Sequence, residues 1–311
     1  MSMKLHQLRA LVAVADHGSI NGAAKVLFVS QPAITKAIRE LEADIGVELL
    51  GRTNNGVTLT ASGRSLLGRA RLIVSELARA EEQMAQDRGA QEGRIAVGLM
   101  PLAALTVLPP AYAQFRLEAP KVKVEFLEHP TARLLDNLRK GTLDFALASP
   151  SEPFLDASIH CVDLLSFPAA FAVRRDGELA KATRIVDLAD AEWLHVDTTE
   201  IYPAYIADLF RQHGLPPPRM TRCTSQALLY NLAVTFDAVV SAWSAHALGA
   251  INIAGQFVTL DFVRSHPPLK LQLLQREGAI LTRASEQFIR CIMEVVQRAQ
   301  ISPNMLRGSP R

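Results

Sequence analysis

Cysteine is scarce in this chain: Cys161, Cys223 and Cys291 are odd in number and far apart. No Cys-x-x-Cys pair or metal-ligand spacing occurs, which excludes a disulfide-stapled secreted domain and points to reduced thiols in a cytosolic protein. Excess charge is lacking too. A formal net charge of +2 over 311 residues does not by itself advertise a nucleic-acid partner. The N-terminus shows no basic, hydrophobic, small-residue signal pattern, and helical pattern begins almost at once. The one uncharged stretch of membrane length, Ala238 to Leu260, contains Ser241, Ser244, His246, Asn252, Gln256 and two glycines. It reads as strand, helix and strand of a soluble domain, so no membrane partner is expected.

Catalytic signatures are equally missing. There is no GxSxG elbow, no GxxxxGK, no HExxH and no GxGxxG after a strand. The histidines are scattered, and His195-Val196-Asp197 with Glu200 is the nearest approach to a metal cluster. That group reads better as a strand end followed by a cap. No catalytic residue, metal or cofactor is therefore assigned, and an enzyme is not expected. A free-standing solute-binding protein would not need residues 1–88.

What is present is a pattern of charge and periodicity between residues 19 and 60. Lys25, Lys36 and Arg39 occur without an intervening acid, and Glu40, Glu42, Asp44 and Glu48 follow. Ser30 is a suitable N-cap and Pro32 fits a first helical turn. At about 100° per residue, Ile34, Ala37, Ile38, Leu41 and Ile45 share one stripe. The opposite arc carries Pro32, Lys36, Arg39 and Ala43, with Gln31 and Thr35 on its shoulder. Such an arc suits a solvated surface or a DNA groove, where Gln pairs with adenine and Arg or Lys with guanine or phosphate. The flanks favour the groove. Ser19 caps a preceding helix whose Ala23 and Ala24 permit close crossing, and Leu27 and Phe28 end it before a tight turn. Downstream, Asn54-Asn55-Gly56 separates two strand-like runs, a strong hairpin signal. This is the outline of a winged helix-turn-helix, with Ser30, Gln31, Pro32, Thr35, Lys36, Arg39, Arg52 and Asn54 as candidate DNA contacts. The acids at the far end of the recognition helix should lie away from phosphate. So few contacts per head call for two heads.

From Thr60 to about Arg88 no proline interrupts a run of helix formers. Leu66, Ala70, Ile73, Leu77, Ala80 and Met84 form an a/d-like seam flanked by Arg69, Arg71, Glu76, Arg79, Glu81 and Glu82. A helix of about 40 Å with a narrow seam can pair with a second copy or lie along its own second domain. Pairing is the more economical solution. After Gln91-Glu92-Gly93 strands and helices alternate: strand Arg94–Leu99, helix Ala103–Leu117, strand Val122–Leu127, helix Leu134–Lys140, strand Leu143–Ala148. The alternation recurs from Ile159 to Leu260, with strands near Phe171, Leu194, Met220, Val239 and Val258 and helices near Tyr205, Leu229 and Leu248. Strand Leu269–Gln275 and helix Ser285–Arg298 return to the first lobe. Two open, mainly parallel sheets place a cleft between their strand ends.

Residues Leu8, Ser19, Ala23, Ala24, Leu27, Ser30, Gln31, Pro32, Ala33, Thr35, Ile38, Leu41, Glu42, Gly46, Leu49, Arg52, Val57, Leu59, Thr60 and Gly63 resemble, in type and spacing, the N-terminal domain of LysR-type transcriptional regulators. Asn21, Asn54 and Asn55 depart from it, standing where the family often places basic residues. The second domain resembles the family's regulatory domain through Gly98, Leu108-Pro109, Phe115, Pro120, Leu138, Gly141 and Leu143-Asp144-Phe145. Met100–Leu105 and Gly141–Phe145 are similar to a branch with regulators of sugar and aryl-sulfonate metabolism.

The resemblance implies a multidomain architecture. An N-terminal all-α winged helix-turn-helix (1–60) would be followed by a long linker and dimerisation helix (61–90). A C-terminal α/β two-lobed domain like periplasmic binding proteins would span 91–301, with lobe I at about 91–162 and 267–301 and lobe II at about 163–266. A tail covers 302–311. It further implies a cytoplasmic regulator binding double-stranded promoter DNA as a homodimer or homotetramer, with RNA polymerase as a further partner. A small-molecule effector, an aromatic carboxylate or sulfonate, would enter the cleft.

Cleft candidates are Met100, Leu102 and Ala103, where a helix N-terminus favours an anion, then His129, Ser149, Thr198, Glu200, Tyr202 and Ser225. The Ser and Thr among them serve equally as helix caps, and Glu200 disfavours an anion. Phe236 and Asp237 are expected to narrow the cleft or alter lobe packing.

Overall fold

The computed structural model describes residues 3–53, 56–88, 92–149, 156–196, 201–244, 254–261 and 266–301. Three helices open the chain: α1 (Leu5–His17), α2 (Ile20–Val26) and α3 (Gln31–Ile45). Small Ala10, Ala13, Ala23, Ala24 and Ala37 let their axes approach, and Leu8, Leu11, Ile34, Ile38 and Leu41 fill the space between them. Burying these residues supplies the drive that such short helices lack alone. Strands β1 (Leu50–Thr53) and β2 (Gly56–Leu59) form the antiparallel wing, with Leu50 opposite Leu59 and Thr53 opposite Gly56. Gly56 is thus part of the strand rather than of the Asn-Gly turn expected there.

Helix α4 (Ala61–Asp87) begins at Thr60, whose hydroxyl accepts the Gly63 N–H at 2.9 Å and donates to the Glu48 carbonyl at 2.7 Å. Gly63 lies so close to the Leu49 carbonyl that any Cβ would collide with it. The first turns of α4 belong to the head: Leu67 and Ala70 are buried in its core, with Leu66 and Val74 against it. That corrects part of the expected seam. Leu66 and Ala70 are covered by the chain's own head, whereas Ile73 and Met84 are 46% and 52% exposed.

The second domain comprises β3 (Gly93–Leu99), α5 (Pro101–Leu105), α6 (Leu108–Glu118), β4 (Val122–Glu128), α7 (Thr131–Arg139), β5 (Phe145–Ala148), β6 (Ile159–Arg174) and β7 (Glu192–His195). It continues through α8 (Ile201–Gln212), β8 (Arg219–Arg222), α9 (Gln226–Thr235), β9 (Ala238–Trp243), β10 (Phe257–Thr259), β11 (His266–Arg276) and α10 (Arg283–Ile301). The strand order is β4-β3-β5-β11-β6-β9-β7-β8, with β10 on β6. β3 is parallel to β4 and β5, and β7 is parallel to β8 and β9. In lobe I, α6 and α10 cover one face, where Phe115 stacks on Phe288 at 4.7 Å, and α7 covers the other. In lobe II the two faces are covered by α8 and α9.

Two expectations change here. The single helix expected over 103–117 is two, because a continuous one would press Pro109 and Pro110 into the carbonyls of the preceding turn. The chain breaks at Thr106 and restarts with both prolines in the first turn of α6, where a missing N–H costs little. The two sheets expected to be separate are joined. β6 pairs with β11 from Ile159 to Ala169, and with β9 and β10 over Ala170 to Arg174. The helix expected near Leu248 falls outside the described residues.

Candidate DNA-binding head and effector cleft

The buried stripe of α3 is Ile34, Ala37, Ile38 and Leu41, and this fixes which arc faces out. Ser30, Gln31, Pro32, Lys36 and Arg39 are exposed and Thr35 is half-buried. Ser30 stands at the N-cap, yet its hydroxyl makes no cap bond; its carbonyl receives the N–H of Ala33 at 3.0 Å. The Thr35 hydroxyl donates back to the Gln31 carbonyl at 3.1 Å, which leaves its methyl and lone pairs for an outside partner. Lys36 lies 3.7 Å from Glu40, an exposed pair of little energetic weight that phosphate can displace. Arg52 is in β1 opposite Val57, and Asn54 falls outside the described residues.

One acid beyond the recognition arc has a role that sequence reasoning missed. Glu42 accepts the N–H groups of Leu49 and Leu50 at 2.8 and 3.1 Å. It pins the start of the wing to the recognition helix, so wing and helix present to DNA as one piece. A glutamate eight residues before the first strand has no local pattern that announces this.

The far half of α4 docks on lobe I. Arg79 Nε donates to Asp144 at 3.1 Å, and its other nitrogens donate to Glu76 at 2.8 Å and to the carbonyls of Gly141 and Leu143 at 3.1 Å each. Asp144 also accepts the Ala96 N–H at 2.7 Å, and Arg276 donates to Glu76 at 2.6 Å. Ser75 donates to the Gly141 carbonyl at 2.6 Å. Gly141 is at φ 69, and a Cβ there would press on Ser75 and Leu72. The side chains of Arg79 and Asp144 are 14% and 10% exposed. Nearby, burial pushes the Glu82 carboxyl above the ordinary range although it accepts the Arg94 N–H. Of the charges flanking the seam, Glu76 and Arg79 thus belong to a docking cluster, with Glu82 beside it. The linker lies along its own second domain on one side and keeps an apolar strip open on another.

Three strand ends define the described edge of the cleft. Leu99 pairs with Glu128 and with Leu147, so Met100 comes level with His129 and Ala148, and Ser149 one residue further on is still in reach of Met100. Met100 Sδ accepts the Thr131 hydroxyl at 3.3 Å and the Ser149 N–H at 3.4 Å, and the His129 N–H reaches the Leu99 carbonyl at 3.4 Å. The helix N-terminus expected to favour an anion at 100–104 is short of free donors. α5 has five residues, Pro101 lacks an N–H, and the Ala103 N–H is bonded to the Met100 carbonyl. Ala103 is 0% exposed and serves packing, and the half-buried Leu102 lies against the same lobe I core.

In lobe II, Ser225 caps α9 by accepting the Leu228 N–H at 3.3 Å, and Tyr202 is half-buried in α8. Thr198 and Glu200 fall outside the described residues. Phe236 and Asp237 sit at the other end of the sheet, before β9 begins. With Glu192, Arg219 and Thr221 they line a concavity of about 560 Å³ there, not the cleft. Among the described residues no group of His, Cys, Asp and Glu could hold a metal ion, and no helix is long and apolar enough to cross a membrane.

A winged head on a long helix, joined to a two-lobed solute-binding fold, defines a DNA-binding regulator with a sensor domain. Residues 5–64 match the bacterial regulatory helix-turn-helix protein, lysR family, and residues 88–297 match the LysR substrate binding domain. The chain belongs to the LysR family of transcriptional regulators, which are not enzymes. It is 29% identical over 221 residues to the HTH-type transcriptional regulator GbpR of Azospirillum brasilense, covering 70% of this chain and 64% of that one. It is 28% identical over 300 residues to the hydrogen peroxide-inducible genes activator of Dickeya chrysanthemi, covering 95% and 96% of the two chains. Its fold is similar to that of full-length CbnR complexed with its target DNA, at 24% identity and a TM-score of 0.63 over 94% of this chain and all of that one (100%).

Proposed function

We propose that the chain works as a homodimer, or a pair of dimers, that grips a pseudo-palindromic promoter with two heads and changes its grip when a small solute fills the cleft. The division proposed is head 1–60, linker 61–90 and effector domain 91–301. The observation that carries the assembly is the strip of α4 left uncovered at Ile73 and Met84 on a helix of 27 residues. A two-fold partner laying the same strip against it would set two recognition helices at one helical repeat, or a multiple of it. Gln31 and Arg39 are the base-reading residues, with Ser30, Pro32, Thr35, Lys36, Arg52 and Asn54 around them. Met100, His129 and Ser149 line the effector site. A thioether, an imidazole and a hydroxyl suit an aromatic carboxylate or sulfonate, with His129 donating to the acid. Action in the cytoplasm and contact with RNA polymerase belong to the same reading.

Replacing Gln31 or Arg39 by alanine is expected to weaken binding by about 1–3 kcal/mol per lost base pairing and to relax preference at one position of each half-site. The measurement is a gel shift on a duplex selected by the full-length protein from a random pool. Unchanged affinity and preference in both variants would remove the readout assignment. For the effector, benzoates and arylsulfonates are expected to raise the Tm of wild type and not of His129→Ala. No shift with either class would exclude it.

A further inference from the structure

Helix α2 stops with two paired backbone bonds, Val29 N–H to the Ala24 carbonyl at 3.1 Å and Phe28 N–H to the Lys25 carbonyl at 3.4 Å. This pair defines a Schellman stop, in which the residue at the turn takes the left-handed conformation and is usually glycine, sometimes asparagine. Here that residue is Phe28, at φ 54, the one non-glycine residue with positive φ among those described. A bulky side chain in this region is unfavourable. The ring recovers nothing by packing, because Phe28 is 95% exposed. Neither the local backbone nor the core accounts for an aromatic residue at this point.

Its surroundings point to a partner. Lys25, Val26 and Val29 beside it are exposed, and so are Ser30, Gln31 and Pro32, where the recognition helix begins. From Ser19 to Arg39 the chain holds Lys25, Lys36 and Arg39 and no carboxylate. An apolar ring within a cationic surface, continuous with the first turn of α3, matches a polyanion that also offers apolar patches. Duplex DNA does so through thymine methyl groups and deoxyribose edges. We propose that Phe28 is a further DNA contact, its ring lying on a thymine methyl or a deoxyribose at the mouth of the groove that α3 enters. The inference rests on the head being the DNA-binding unit.

The test uses full-length wild type, Phe28→Asn and Phe28→Tyr with a duplex that wild type selects from a random pool. Asparagine tolerates the left-handed turn, so Phe28→Asn is expected to keep or raise the Tm. Its affinity should fall about tenfold, as expected on withdrawing one ring's apolar surface from a contact. The slope of log affinity against log salt should not change, since no cation is lost. Phe28→Tyr should bind like wild type. Replacing single thymines by uracil then separates the two apolar sources. One position at which wild type weakens and Phe28→Asn does not identifies a methyl contact, and no such position identifies the sugar. Equal affinity of Phe28→Asn and wild type would overturn the proposal and leave a protein partner for the ring. A loss of affinity accompanied by a lower Tm would overturn it in favour of a structural role. If wild type selects no sequence at all, the DNA-binding reading itself fails.

Discussion

Arg79→Met is expected to lower the unfolding free energy by about 3–5 kcal/mol, the range for removing one partner of a buried charge pair. The reason is what the arginine leaves behind. Asp144 and Glu76 would face each other's neighbourhood with one cation, Arg276, remaining, and the carbonyls of Gly141 and Leu143 would each lose a donor. Methionine fills part of the space but donates nothing. Asp144→Asn in the same chain removes the stranded charge and retains an acceptor for the Ala96 N–H, so the double variant should lose less than the sum of the single ones. Urea unfolding followed by circular dichroism measures both. A loss for Arg79→Met below about 1 kcal/mol, the value of an exposed pair, would show that the cluster does not hold the linker to lobe I.

Leu77→Asp is expected to turn a dimer into a monomer while leaving each chain folded. Leu77 lies between the exposed Ile73 and Met84 on α4, is itself half-buried in the protomer and belongs to no described core cluster. Its replacement therefore removes no fully buried core side chain of the protomer. Across a two-fold axis one substitution introduces two carboxylates, each desolvated without a partner. The dimer dissociation constant should rise at least about a hundredfold, equivalent to roughly 2.7 kcal/mol. DNA affinity should fall with it, since each head then binds a half-site alone. Sedimentation velocity across a concentration series reads the first effect and gel shift the second. A dimer of undiminished stability with an unchanged Tm would mean that subunits meet elsewhere.

The head was legible because its information is local. The stripe Ile34, Ala37, Ile38, Leu41 repeats at helical spacing, and Ser19 and Thr60 stand where caps are needed. The same logic should have split the helix at 103–117, since Pro109 and Pro110 mark a restart. The docking cluster was not legible, for a physical reason. Arg79 and Asp144 are 65 positions apart, and a long-range polar pair leaves no periodic trace; on a helix face Arg79 looks like any solvated cation. Glu42 shows the same limit at shorter range. For the cleft, sequence alternation located the C-terminal ends of β3 and β5 and came within one residue of that of β4. It could not tell that the Ala103 side chain turns inward, because one small residue fits a core or a pocket equally well.

The long strand β6 has a mechanical meaning for the sensor domain. Among the described strands, β6 is the one that pairs with strands of both halves, with β11 over its first part and with β9 and β10 over its last. The pairing of β6 with β11 shifts register between Leu271 and Gln272 and again between His266 and Leu269, and β6 shifts against β9 between Ala170 and Ala172. Irregular pairing of this kind bends the strand, interrupts the ladder locally and adds twist. The lobes are thus joined by a torsion bar rather than a hinge pin. Any change in the angle between the lobes must therefore be absorbed as twist along β6, at the positions where its ladder is least regular.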